Sequence, residues 1–255
     1  MDFLTLQWAY TLTLGFLILS TTLSRLELIG ISSLYLDFVY PSLASKNKLL
    51  KWRILNGLTL LFSVLTGAFF LGDQLLLFKL FLVLTTITLL VTYLKRKIGK
   101  DGADQIRVLS YLALSFCLLI DFETGQLIAV VFLGVQALIA YTTSGLAKVA
   151  STHWRKGNVL ADILGTYSFG VPGVKPFLKN HPVLEKIASY GAILTMLAVP
   201  VCFFIPQPEP LLVALMGMFC FHLATALLMG LNDFLVTFPM TYPGVLILHS
   251  FIFSY

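Results

Sequence analysis

The segment Tyr141–Gly157, YTTSGLAKVASTHWRKG, places a lysine at the end of a long apolar run and follows it with a tryptophan and a basic stretch. A lysine at the centre of a membrane helix costs about 2.5–3.5 kcal/mol on insertion scales, so Lys148 needs a cavity, a partner or a route to the interface. On a helix, Tyr141, Gly145 and Lys148 are four and three apart and share a face, with Ser144 beside them. Ala137, Ala140, Ser144 and Ala147 are small enough for neighbouring backbones to approach, which suits a helix buried among others. Lys148 then has two readings. Among apolar walls an uncharged amine acts as a general base, and at the headgroup layer the same amine is an anchor.

His222 lies near the middle of another apolar run, GMFCFHLATALLMG. An imidazole there is either part of an intramembrane functional site or a neutral ring bonded to a backbone carbonyl or to a neighbour such as Thr225. Trp154 suits a membrane interface. His249 has no ligand companion at i,i+4, and Cys117, Cys202 and Cys220 sit singly in apolar runs, so no metal site is expected. Asp101 and Asp104 in DGADQ precede an apolar run and suit a helix cap and first turn. Walker, GxSxG, HExxH and Rossmann glycine patterns are absent.

The elements that must position these groups are membrane helices. Of 255 residues, 58% are hydrophobic and 11% charged, with a mean hydropathy of +0.92, the composition of a polytopic membrane protein. A bilayer core about 30 Å thick needs about 20 apolar residues per helix. Eight stretches qualify, at about residues 4–24, 54–72, 75–94, 106–121, 127–148, 187–205, 211–231 and 234–253, the fourth being short. Sixteen of the 17 Lys and Arg fall in three odd-numbered connections: Arg25 to Arg53, Lys95 to Arg107, and Lys148 to Lys186. The even connections are acidic or bare, with Asp73, then Asp121 and Glu123, then Glu209. This alternation predicts an inner (plasma) membrane protein with both termini on the outer side. The first segment has no basic n-region and reads as a retained helix rather than a removable signal. Clustering of the cations between apolar runs also argues against nucleic-acid binding. Two long basic connections, 25–53 and 149–186, suit helices lying in the headgroup layer, with Asp37, Tyr40 and Pro41 ending one of them. The expected fold is therefore all-α, a single transmembrane domain over 1–255.

The tyrosine, small-Gly pair and lysine of YTTSGLAK, with the following Trp and the glycine of WRKG, resemble the HTTM-type membrane domain related to vitamin K-dependent gamma-glutamyl carboxylase. The residues that carry this are Tyr141, Ser144, Gly145, Lys148, Trp154 and Gly157, with looser likeness at FHLATALLMGL around His222 and at RILNGL, Arg53 to Leu58. The likeness covers about residues 46–250. It extends to the bacterial membrane proteins that help mature a secreted sporulation-delaying peptide toxin. The resemblance implies Lys148 and His222 as catalytic residues, with Lys148 the base that deprotonates a reduced quinone such as vitamin K hydroquinone. It further implies Tyr141, Ser144, Gly145 and Trp154 as substrate-binding residues, and a peptide substrate or membrane-protein partner. The alternative is a non-catalytic subunit or adaptor of a larger membrane complex.

Overall fold

The structure, a computed structural model, describes residues 3–31, 46–96, 100–166, 170–171 and 173–253. Every described element is helical: α1 (Phe3–Gly30), α2 (Lys46–Leu71), α3 (Leu75–Lys95), α4 (Gly102–Cys117), α5 (Phe122–Ala150), α6 (Thr152–Lys156), α7 (Leu160–Ile163), α8 (Val174–Asn180), α9 (Pro182–Phe203), α10 (Pro208–Met229), α11 (Asn232–Thr237), a 3₁₀ turn (Pro239–Thr241) and α12 (Tyr242–Phe253). Pro182 and Pro208 each open a helix at its first position, where a missing N–H costs nothing. Gly230 closes α10 with φ +68, and Leu231 N–H reaches back to Thr225 O, a left-handed cap that suits glycine.

Seven helices among the described residues have the length and apolarity to cross a bilayer, the last running through α11, the 3₁₀ turn and α12 as Asn232–Phe253. Outward residues such as Leu76 and Leu119 are 80% and 81% exposed, which an aqueous surface does not favour and a lipid one does. The chain is an all-α polytopic membrane bundle. The remaining expected span, 106–121, overlaps the 16-residue α4, which begins four residues earlier, is about 24 Å long and is not one of these seven. In the second basic connection α6, α7 and α8 are the expected short helices, and Ala161, Leu164 and Leu178 form a small buried cluster there. Asp37, Tyr40 and Pro41 lie outside the described residues.

The helices gather into two compact units, divided within α5 after residue 132. In the first, a tight turn at Gly72 and Asp73 folds α3 back on α2, and the Phe69 and Phe81 rings stack at 5.2 Å. Its interior is polar at one end. Asp104 of α4 bonds Arg107 at 3.0 Å and Arg96 at 2.8 Å, and Arg25 of α1 lies 3.9 Å away. Arg107 also donates to Ser20 and Ser24, and Arg25 to Asn56 and Thr92. These buried charges are paired and hydrogen-bonded, the arrangement that an apolar interior demands.

In the second unit α5 and α12 cross so closely at Gly134 and Gly244 that a side chain on Gly134 would strike the Gly244 backbone. Gly145, a turn short of Lys148, lies against Leu197 and Met196 of α9. Small residues at both crossings bring α5 into the unit's centre.

Candidate functional site

The second unit contains a cavity of about 270 Å³ whose wall includes Tyr141, Ser144 and Lys148 of α5, Trp154 of α6 and His222 of α10. Apart from Thr225 the remaining lining is apolar, with Met196 and Met218 from α9 and α10 and Phe234 and Phe238 from the final span. Seven residues of helical rise separate Lys148 from Tyr141, so the cavity follows α5 for about 10 Å between two polar ends.

At one end the Lys148 amine sits over the Trp154 ring, 5.1 Å from its centroid. This is a cation–π distance, and it keeps the amine on the cavity wall. At the other end Tyr141 and His222 are each 2% exposed. The Tyr141 hydroxyl lies 3.4 Å from His222 Nε2, and Phe238 stacks on the imidazole at 4.6 Å and 22°. His222 Nδ1 has no hydrogen-bond partner. The Thr225 hydroxyl bonds the His222 carbonyl, not the ring. A buried ring nitrogen without a partner costs about 1–3 kcal/mol, and here it belongs to a side chain that borders a cavity.

The cavity thus brings together five of the six residues singled out by sequence: Tyr141, Ser144, Lys148, Trp154 and His222. Gly145 is not on its wall. It shares the α5 face by spacing, but α9 covers it, and Leu197 would collide with any side chain there; its contribution is helix packing. Gly157, which ends the motif, has φ +70 and takes the Lys186 stem against it. His249 is fully buried and its Nε2 bonds the Ile205 carbonyl at 2.8 Å. Among the described residues no group of His, Cys, Asp and Glu could hold a metal.

Below the cavity's basic end, Glu185 is buried and accepts from the Ala161 N–H at 2.9 Å, which docks α7 on α9. Asp162 lies on the surface between Lys179 and Lys175, at 3.4 and 3.5 Å. The Lys179 ammonium, helped by Lys175, holds its carboxyl below the usual range.

Spacing on one helix missed Phe234 and Phe238, which seat the imidazole. Counting cations also places Arg25 and Arg107 in connections, although both lie within helices, and gives no sign that Arg96, just past α3, pairs with Asp104; Asp104 and Arg107 at i,i+3 in DGADQIR, and Ser20, Ser24 and Arg25 at helical spacing, are the available signal.

No family model, curated protein or solved structure matches the chain.

Proposed function

We propose that the second unit is a pocket for an apolar, ring-bearing lipid of the quinone class, in an HTTM-like membrane protein that acts in modifying or exporting a secreted peptide. The observation that carries this is the unpartnered Nδ1 of buried His222 on the wall of a largely apolar cavity. Aromatic and thioether side chains line the middle, as in small-molecule sites generally, and polar groups stand at the two ends. A reduced quinone held there would supply hydroxyl protons and reducing equivalents. His222 Nδ1 would hydrogen-bond a ring oxygen, Phe238 and Tyr141 would keep the imidazole from turning, and Ser144 would offer a hydroxyl midway. Lys148, when uncharged, takes up a proton at Nζ; Trp154 fixes the amine at the cavity's other end and shields it from water.

The alternating cations support an inner-membrane orientation with the basic connections cytosolic and both termini outside. That orientation requires α4 to cross with little tilt, the bilayer thinning locally around it. A membrane-impermeant thiol reagent applied to intact cells should then modify Glu123→Cys and spare Lys156→Cys; the reverse pattern sinks the orientation.

Extraction of purified protein with organic solvent, followed by mass spectrometry, tests the pocket. Wild-type protein should release a bound apolar ring compound that Ser144→Trp, which fills the cavity, does not carry. Equal recovery from both, or none from either, overturns the reading and leaves a subunit that only packs against other proteins.

A further inference from the structure

Outside the cavity, the connection from α6 to α9 gathers cations in a way that its own carboxylates do not balance. Arg155 and Lys156 are exposed on α6, and Lys186 is exposed at the start of α9 with its stem against Gly157, the residue after Lys156. The left-handed Gly157 allows this approach, since any Cβ there would strike the Lys186 stem. The Tyr190 hydroxyl donates to the Arg155 carbonyl at 2.8 Å and pins the same turn to α9. None of Arg155, Lys156 and Lys186 is ion-paired among the described residues. The two acids between residues 149 and 186 are committed elsewhere: Glu185, adjacent to Lys186, is buried on the Ala161 N–H, and Asp162 is held by Lys175 and Lys179. Holding three like charges together on a fixed backbone is unfavourable until an anion joins them.

Beyond Lys186 along α9, Ile187, Leu194 and Val201 are exposed apolar residues seven apart, so they share one helix face. Cations therefore lie at the head of a greasy stripe. We propose that Arg155, Lys156 and Lys186 form a headgroup site for one anionic phospholipid, whose phosphate they bind and whose acyl chains lie along Ile187, Leu194 and Val201. A diffusing phosphate or a nucleic acid would leave the apolar stripe unused, whereas a phospholipid covers both parts. The site does not depend on what fills the cavity.

The test uses full-length protein with Trp8→Phe and Trp52→Phe, so that Trp154, next to Arg155, is the sole tryptophan reporter. The protein is reconstituted into phosphatidylcholine vesicles containing brominated phosphatidylglycerol or, separately, brominated phosphatidylcholine. Brominated phosphatidylglycerol should quench Trp154 with about tenfold greater relative affinity. Arg155→Gln/Lys156→Gln/Lys186→Gln should abolish that preference, and Lys175→Gln/Lys179→Gln should retain it. Elution at the wild-type volume on gel filtration confirms that the triple variant, altered only at exposed positions, is folded. Equal quenching by the two lipids overturns the site, as does an undiminished preference in the triple variant. Loss of the preference to inorganic phosphate at matched ionic strength also overturns it, because the site would then hold a free anion.

Discussion

The Tyr141 hydroxyl and His222 Nε2 stand 3.4 Å apart across 81 residues of sequence, and they join α5 to α10 on the wall of the cavity. The contact engages one imidazole nitrogen, Nε2, and leaves Nδ1 without a partner.

Tyr141→Phe should strip His222 of its one side-chain partner and cost about 1 kcal/mol or somewhat more. Adding His222→Phe removes the orphaned nitrogens and should recover part of that loss. Thermal unfolding in detergent compares the two; a double variant less stable than the sum of the singles contradicts the coupling.

At the α5–α12 crossing, Gly134→Ala should destabilise by about 1–3 kcal/mol, because its methyl meets the Gly244 backbone, which cannot rotate away. Gly191→Ala, with nothing within 4 Å of the added carbon, should be neutral or stabilise by up to about 1 kcal/mol. The same melting experiment reads both, and equal effects would refute the close approach.

Asp104 answers Arg96 and Arg107 directly and Arg25 at longer range. Asp104→Asn should cost about 3–5 kcal/mol, since it leaves buried guanidinium charge without its carboxylate. Wild-type stability in that variant would show that the cluster is held by its hydroxyl and amide partners instead.

Asp162 sets a pH response in the second basic connection. Lys179 and Lys175 depress its carboxyl pKa in the folded chain below the ordinary 3.8. The unfolded chain therefore binds the proton first on acidification. Whatever the pairing contributes is fully present above about pH 4 and disappears as pH falls through the lower folded value. Amide exchange in α8 should be insensitive to this group from neutral pH to about 4 and faster below it. Asp162→Asn should remove the transition, and a transition unchanged in that variant would assign it to another group.

The helical fold was legible because apolar runs near the length of a bilayer leave few alternatives, and the Tyr141–Ser144–Lys148 face follows from spacing within one helix. His222 announced itself by polarity at mid-helix. Its seat did not: Phe238 reaches the ring because the final span breaks from α11 into a 3₁₀ turn at Pro239, a tertiary outcome that no local pattern encodes. The apolar window ends at about residue 24 and so leaves Arg25 in a connection, while α1 continues to Gly30. Arg107, likewise, is read as a topological charge by any count of cations, although Ser20, Ser24 and Asp104 enclose it. Counting charge along a chain says which connections are basic; it does not say which of those side chains turn inward.

Met196, Met218 and Met229 supply much of the cavity's flank. Thioether chains are unbranched and change outline at little cost, so on the proposed reading the wall would mould itself to differently branched tails and exercise little selectivity among them. If the cavity takes the proposed lipid, discrimination would then reside in the two termini of the slot, where Lys148 and His222 would fix how far apart a guest's own polar atoms can be.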